Sequence, residues 1–170
     1  CATAVILTAL YCVANFLGAL IANGNIEGFN APARCLELFG ETTLKTTVGG
    51  MVLFGILWTM LAAVVFSLTV SLISAYAKNQ TSVFGLSIVL ILTFSMMGFL
   101  PDDIYAKLWP LIDFNFVTLS LYSIIFGGSK MYNFFGEPLP YGVLALLVCI
   151  ALSAIEILLI YLAQKKRSAV

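Results

Sequence analysis

Histidine is absent from the 170 residues, and charge is scarce, with eight basic and eight acidic side chains making up 9% of the chain. Without histidine there is no HExxH zinc site and no Ser-His dyad or triad within this stretch. Nor is there a GxSxG elbow, a GxxxxGK(S/T) phosphate loop or a heptad array. The charges cancel, which leaves no basic footprint for nucleic acid. The four cysteines (Cys1, Cys12, Cys35, Cys149) show no metal-ligand spacing. Cys12 and Cys149 fall inside apolar runs and read as small buried hydrophobes. Nothing in this inventory calls for a cofactor, a metal or a catalytic residue.

A soluble domain carries about 25% charged residues. This chain is 62% hydrophobic, with a mean hydropathy of +1.08. So few polar side chains cannot cover a water-facing surface, and lipid is the solvent that fits. A helix crossing a hydrocarbon core of about 30 Å needs roughly 20 apolar residues. Four segments meet that length, at about 1–22, 47–77, 82–100 and 141–163. They must be helical, because lipid offers no partner to an unpaired backbone amide. The expectation is an all-α integral membrane protein. It forms one domain over 1–170, with four transmembrane helices and outer loops at 23–46 and 101–140. The chain opens on Cys1 directly into an apolar run with no basic residue ahead of it, which favours a fragment beginning inside a membrane helix over a signal peptide.

A fifth apolar run, "FNFVTLSLYSIIF" at 114–126, is too short to span and reads as re-entrant or interfacial. Pro101, Asp102 and Asp103 can start a short helix before it, Pro110 limits that helix, and Gly127, Gly128 and "GEPLPYG" break the chain after it. Asp102-Asp103 reads as a helix cap rather than a catalytic pair. In the 23–46 loop, Asn30 as cap, Pro32 in a first turn and Gly40 as stop predict a short amphipathic helix with Leu36 and Phe39 on its apolar side.

Orientation follows lysine and arginine. Lys78 and the tail Lys165, Lys166 and Arg167 lie on one side, concentrated in short segments. Arg34, Lys45, Lys107 and Lys130 lie on the other, diluted among long loops that hold seven acids. The tail is therefore expected in the cytoplasm, and "AYAKNQTS" reads as a tight cytoplasmic turn between two antiparallel spans.

Within the spans, Thr59, Ala63, Ser67, Ser71 and Ala75 recur every four residues. They line small side chains along one ridge, for close packing within the chain or between subunits. Glu156 is the one charge well inside a span and should face protein or water. Two readings stand for it: a polar point on a substrate path, or a protonated or hydrogen-bonded packing residue. Asn15 in the first span is a candidate partner on the same terms.

The order of segments resembles the C-terminal half of an ABC-2-type ABC transporter permease. The resemblance rests on an outer loop leading through "GETTLKTTVGGMVLFGILW" into a long span, and on "SLTVSLISAYAKNQTS" ending in a basic-polar turn. It also rests on an apolar span followed by "LPDDIYAKLWPLIDFN", and on a last span closed by "YLAQKKRSAV". It implies that these four spans are the third to sixth of six, with short re-entrant outer helices before the last. The chain would be a non-enzymatic export subunit in a plasma membrane, paired with a second permease subunit. Separate cytoplasmic ATP-binding subunits would hydrolyse the nucleotide. The turn at Lys78, Asn79 and Gln80 would be one contact with them. A departure is the missing front portion, which in the family holds the main coupling helix. An ion-coupled secondary transporter and a non-transporting membrane scaffold are the alternative classes.

Overall fold

A computed structural model describes residues 2–23, 27–77, 79–134 and 136–168. Helices dominate: α1 (Ala2–Asn23), α2 (Val48–Tyr76), α3 (Gln80–Met96), α4 (Asp102–Asp113), α5 (Phe116–Ser120), α6 (Tyr122–Gly127) and α7 (Tyr141–Ser168). Three are long and apolar enough to cross a membrane: Val48–Tyr76, the stretch Gln80–Phe99 that continues α3 through a 3-10 turn, and Tyr141–Lys165. The four expected spans thus reduce to three by this measure. In α1 the qualifying apolar stretch among the described residues is Ala2–Leu17, shorter than a crossing.

The long helix α2 organises the rest. Thr47 caps it, its side chain accepting from Gly50 N. Its 29 residues rise about 43 Å at about 1.5 Å each, so it must tilt or protrude from a core of about 30 Å. Its buried positions, Met51, Gly55, Trp58, Ala62, Val65 and Leu68, repeat at three and four residues, the period of one helical face. Late residues of α2 (Val70 to Ala75) meet late residues of α7 (Ile160 to Gln164), so these helices run parallel. α1 runs antiparallel to α2, with Phe16 beside Val52 and Thr8 beside Ala62 and Phe66. α3 returns antiparallel to α2. None of its described residues is buried, and Phe84, Val89 and Phe99 are strongly exposed. Such a helix needs lipid or another chain around it.

The bundle has two ends: a turn end, where α2 passes to α3, and a cap end, where α2 begins. At the cap end the short helices fold back into the bundle. Asn115 caps α5, its Oδ1 accepting from Val117 N and Thr118 N, both at 2.9 Å. α5 then lies against α2, with Phe116 in ring contact with Phe66 and Phe94 at 5.5 and 5.2 Å. The buried Trp58 Nε1 donates to Leu119 O at 2.7 Å. Phe66 lies eighteen positions into α2, so this segment re-enters well below the helix start. α6 is seated by Phe126, which meets Phe54 and Trp58 edge-on. Glycine at 142 is what permits this seat, since a Cβ there would stand 2.1 Å from Phe126 Cε1.

Several expectations are corrected. The helical fold agrees with the expectation, but the outer loop before α7 also holds a two-stranded ribbon: β1 (Met131–Phe134) pairs antiparallel with β2 (Glu137–Pro140), turning at Gly136 with φ +92°. Pro138 and Pro140 suit this two-stranded ribbon because each strand has a free edge for the missing amide hydrogen. Pro110 does not limit α4, which continues through it to Asp113. The described residues of the 23–46 loop form three 3-10 turns, and the expected helix is broken where Leu36 is extended at φ −86° and ψ 130°. Phe39 is buried while Leu36 stays outside. The loop is tied to the start of α2 by Ala33 N to Thr46 O and Val48 N to Ala31 O, both 2.9 Å.

Candidate functional sites: two carboxyls

The first polar centre is built at the cap end around Asp113, 6% exposed at the end of α4. Tyr105, two turns earlier on the same helix, donates to Oδ1 at 2.7 Å. Lys130 Nζ reaches Oδ2 at 2.7 Å, and the hydroxyl of Tyr132 donates to the same oxygen. Tyr141, first residue of α7, donates its hydroxyl to the Asp113 backbone carbonyl. The ammonium of Lys130 also lies 5.3 to 5.6 Å from the ring centroids of Tyr105, Tyr132 and Tyr141, within cation–π range. Trp109 stacks on Tyr132 at 4.9 Å and 18°. Burial opposes the charge on Lys130, but its hydrogen bonds to Asp113, Tyr105 and Tyr132 outweigh that and hold it above the ordinary lysine range. Burial, reinforced by the hydrogen bond to Asp113, pushes the Tyr132 phenol up as well. The three tyrosine hydroxyls and the Lys130 ammonium each have an acceptor here. The centre binds α4, the hairpin and the head of α7 into one unit.

The second centre lies within the spans. Glu156 on α7 is 9% exposed. Its Oε1 stands 2.6 Å from the hydroxyl of Thr69 on α2, and Thr69 Oγ1 is also 3.1 Å from Val65 O one turn back. Its other oxygen, Oε2, is buried and has no partner. One turn further toward the turn end begins a cleft of about 470 Å³ between α2, α7 and the start of α3. Ser71, Ser74 and Gln164 are its polar wall.

The remaining expected residues are distributed rather than gathered. Asn15 donates to Tyr11 O on its own helix at 2.8 Å and lines a cleft of about 310 Å³ with Thr59 and Tyr122. Along α2 that position is more than two turns from Thr69, so Asn15 and Glu156 do not meet. On the ridge, Thr59, Ser67 and Ser71 bond back to carbonyls four residues earlier. Thr59 and Ala63 face a cleft of about 340 Å³ toward α1, α3 and α5, and Ser71 and Ala75 face the larger one. The ridge therefore borders the clefts beside the tight seam. Asn79 caps α3, accepting from Ser82 N at 2.8 Å, and Gln80 opens that helix. Lys78 lies outside the described residues. Among the described residues no group of three His, Cys, Asp or Glu side chains comes together to hold a metal ion.

Sequence reasoning missed the Asp113 centre. The partners of Asp113 stand 8, 17, 19 and 28 residues away, beyond any local pattern. The available signal was the density of tyrosines around Lys130.

Among the described residues, three helices long and apolar enough to cross a membrane, with short helices packed against them, point to a predominantly helical, multi-pass membrane protein. Compared with protein-family models, with curated proteins and with solved structures, the chain matches none.

Proposed function

We propose that the chain is the membrane-spanning permease subunit of an ATP-driven ABC exporter. It forms the translocation path with a second permease subunit and is powered by separate cytoplasmic ATPase subunits. The observation that supports this best is the segment between the last two long helices. It turns back into the bundle as α5 and α6, fastened by Trp58 to Leu119 and by Phe116 to Phe66, as the resembling permeases have re-entrant outer helices there. In this reading α1, antiparallel to α2, packs beside the three long helices. The turn end with the basic tail faces the cytoplasm of a plasma membrane, and the Asn79–Gln80 turn meets the ATPase. A transport cycle needs a ligand that binds two states unequally. ATP held by the partner supplies that difference.

The test is reconstitution of the full-length permease with and without a cytoplasmic ATPase subunit, reading nucleotide hydrolysis and movement of substrate. Transport that needs the ATPase supports the proposal. Accumulation driven by an ion gradient without it overturns the proposal in favour of a secondary transporter, the reading that the buried Glu156 favours.

A further inference from the structure

Thr69 has one hydroxyl hydrogen and two acceptors within reach, Glu156 Oε1 at 2.6 Å and Val65 O at 3.1 Å. If Glu156 were ionised, that hydrogen would go to Oε1. The contact to Val65 would then hold no hydrogen, and Oε2 would carry charge with no donor at all. A protonated Glu156 resolves the arrangement: Oε1–H donates to Thr69 Oγ1, and the Thr69 hydrogen passes on to Val65 O. Only a neutral carbonyl-type oxygen is then left bare, a much smaller penalty than a bare charge.

No neighbouring charge offers an alternative. α1, α2, α3 and α6 contain no Asp, Glu, Lys or Arg. The titratable groups of α2 and α6 are Tyr76, near the turn end, and Tyr122, at the cap end. On α7 itself Cys149 is seven residues before Glu156, Tyr161 five after, and Lys165 nine after, the last about 13 Å away by helix rise. Lys130 beside β1, Tyr132 within it, Glu137 of β2 and Tyr141 lie at the cap end, and Tyr141, the first residue of α7, is fifteen residues from Glu156.

We infer that Glu156 is a proton-binding site within the membrane, a neutral carboxylic acid that exchanges its proton with water through the Ser71–Ser74–Gln164 cleft at the turn end. On release the proton passes to water in the cleft and the carboxylate keeps the electron pair. On uptake the hydrogen chain to Thr69 and Val65 closes again. The site holds whether the chain acts as a permease subunit or alone.

The experiment is infrared difference spectroscopy of the full-length protein in lipid at neutral pH, wild type minus Glu156→Gln. A carboxylic-acid C=O band present in wild type and absent from the variant is expected. Thr69→Val, which removes the accepting hydroxyl, should shift that band, and Thr69→Ser should leave it in place. Carboxylate bands instead of the acid band, or a band indifferent to Thr69→Val, would overturn the site. In D2O the band should move as the proton is replaced, and more slowly in Ser74→Leu, which narrows the cleft. An unchanged rate in that variant would overturn the cleft as the route.

Discussion

Asp113 and Glu156 are the same chemical group in nearly equal burial, yet their surroundings are opposite. Asp113 receives three donors on its carboxylate, one of them the cation Lys130. Glu156 has one hydroxyl neighbour and an oxygen with no partner. A buried carboxylate is tolerable when it is paired and its lone pairs are used, and Asp113 has both a cation and two hydroxyl donors. A buried carboxyl without a cation resolves its position by holding a proton. Saturation makes a lock, and incompleteness makes a titrating site. The Asp113 centre thereby ties the cap together, and the α2–α7 seam toward the turn end is where protonation can act.

The largest break in this comparison is Asp113→Asn. The amide matches the shape of the carboxyl but removes the charge opposite Lys130 and points hydrogens at donors. A loss of about 3 kcal/mol in stability is expected, read from unfolding in detergent. Protease cleavage should appear first in 131–140, the hairpin this centre holds.

Next comes Gly142→Ala, which strikes the joint between the two regions. The new methyl would need the Phe126 ring to move out of its seat against Phe54 and Trp58. Overpacking of this kind costs about 1 to 3 kcal/mol. Tryptophan fluorescence should report the altered surroundings of Trp58, while the carboxyl of Glu156 keeps its proton.

A smaller effect is expected from Lys130→Met, about 1 kcal/mol, because the lysine side chain is 44% exposed and solvent screens the pair. Its pH dependence is sharper than its size. Lys130 and Tyr132 are both raised in the folded protein. Their contribution is therefore complete below the ordinary lysine and tyrosine ranges and is lost only as alkaline pH rises through the higher folded values. In an ultraviolet titration, Tyr132→Phe should diminish the share of tyrosine that ionises later than free tyrosine in the wild type. A titration in which every tyrosine ionises at its ordinary pH would show that the centre is open.

Much of this was legible before the structure, and the reason is the solvent. Lipid compels any long apolar run to be helical, so Val48–Tyr76 and the helix from Tyr141 appear within a residue or two of their expected starts. The short run at 114–126 is recognisable because it cannot span. The cap is a different matter. Its hairpin consists of two four-residue strands containing two prolines, a composition that reads as a turn. Its stability comes from tyrosines converging from three elements. Glu156 was visible as a lone charge in a span. Its partner Thr69 was not, since α2 carries several hydroxyls and only the parallel packing of α7 selects one. Asn15 looked equivalent to Glu156, but an amide can satisfy itself on its own helix at Tyr11, and a carboxylate cannot.

The most direct test sets the two isosteric variants, Asp113→Asn and Glu156→Gln, side by side in one thermal unfolding experiment at neutral pH. Glutamine reproduces the neutral carboxyl, its amide hydrogen replacing the acid hydrogen toward Thr69, so Glu156→Gln should stay within about 0.5 kcal/mol of wild type. Asp113→Asn should fall by several degrees in the same scan. A Glu156→Gln variant as damaged as Asp113→Asn would contradict the account, because it would mean that Glu156 is a charge the fold depends on.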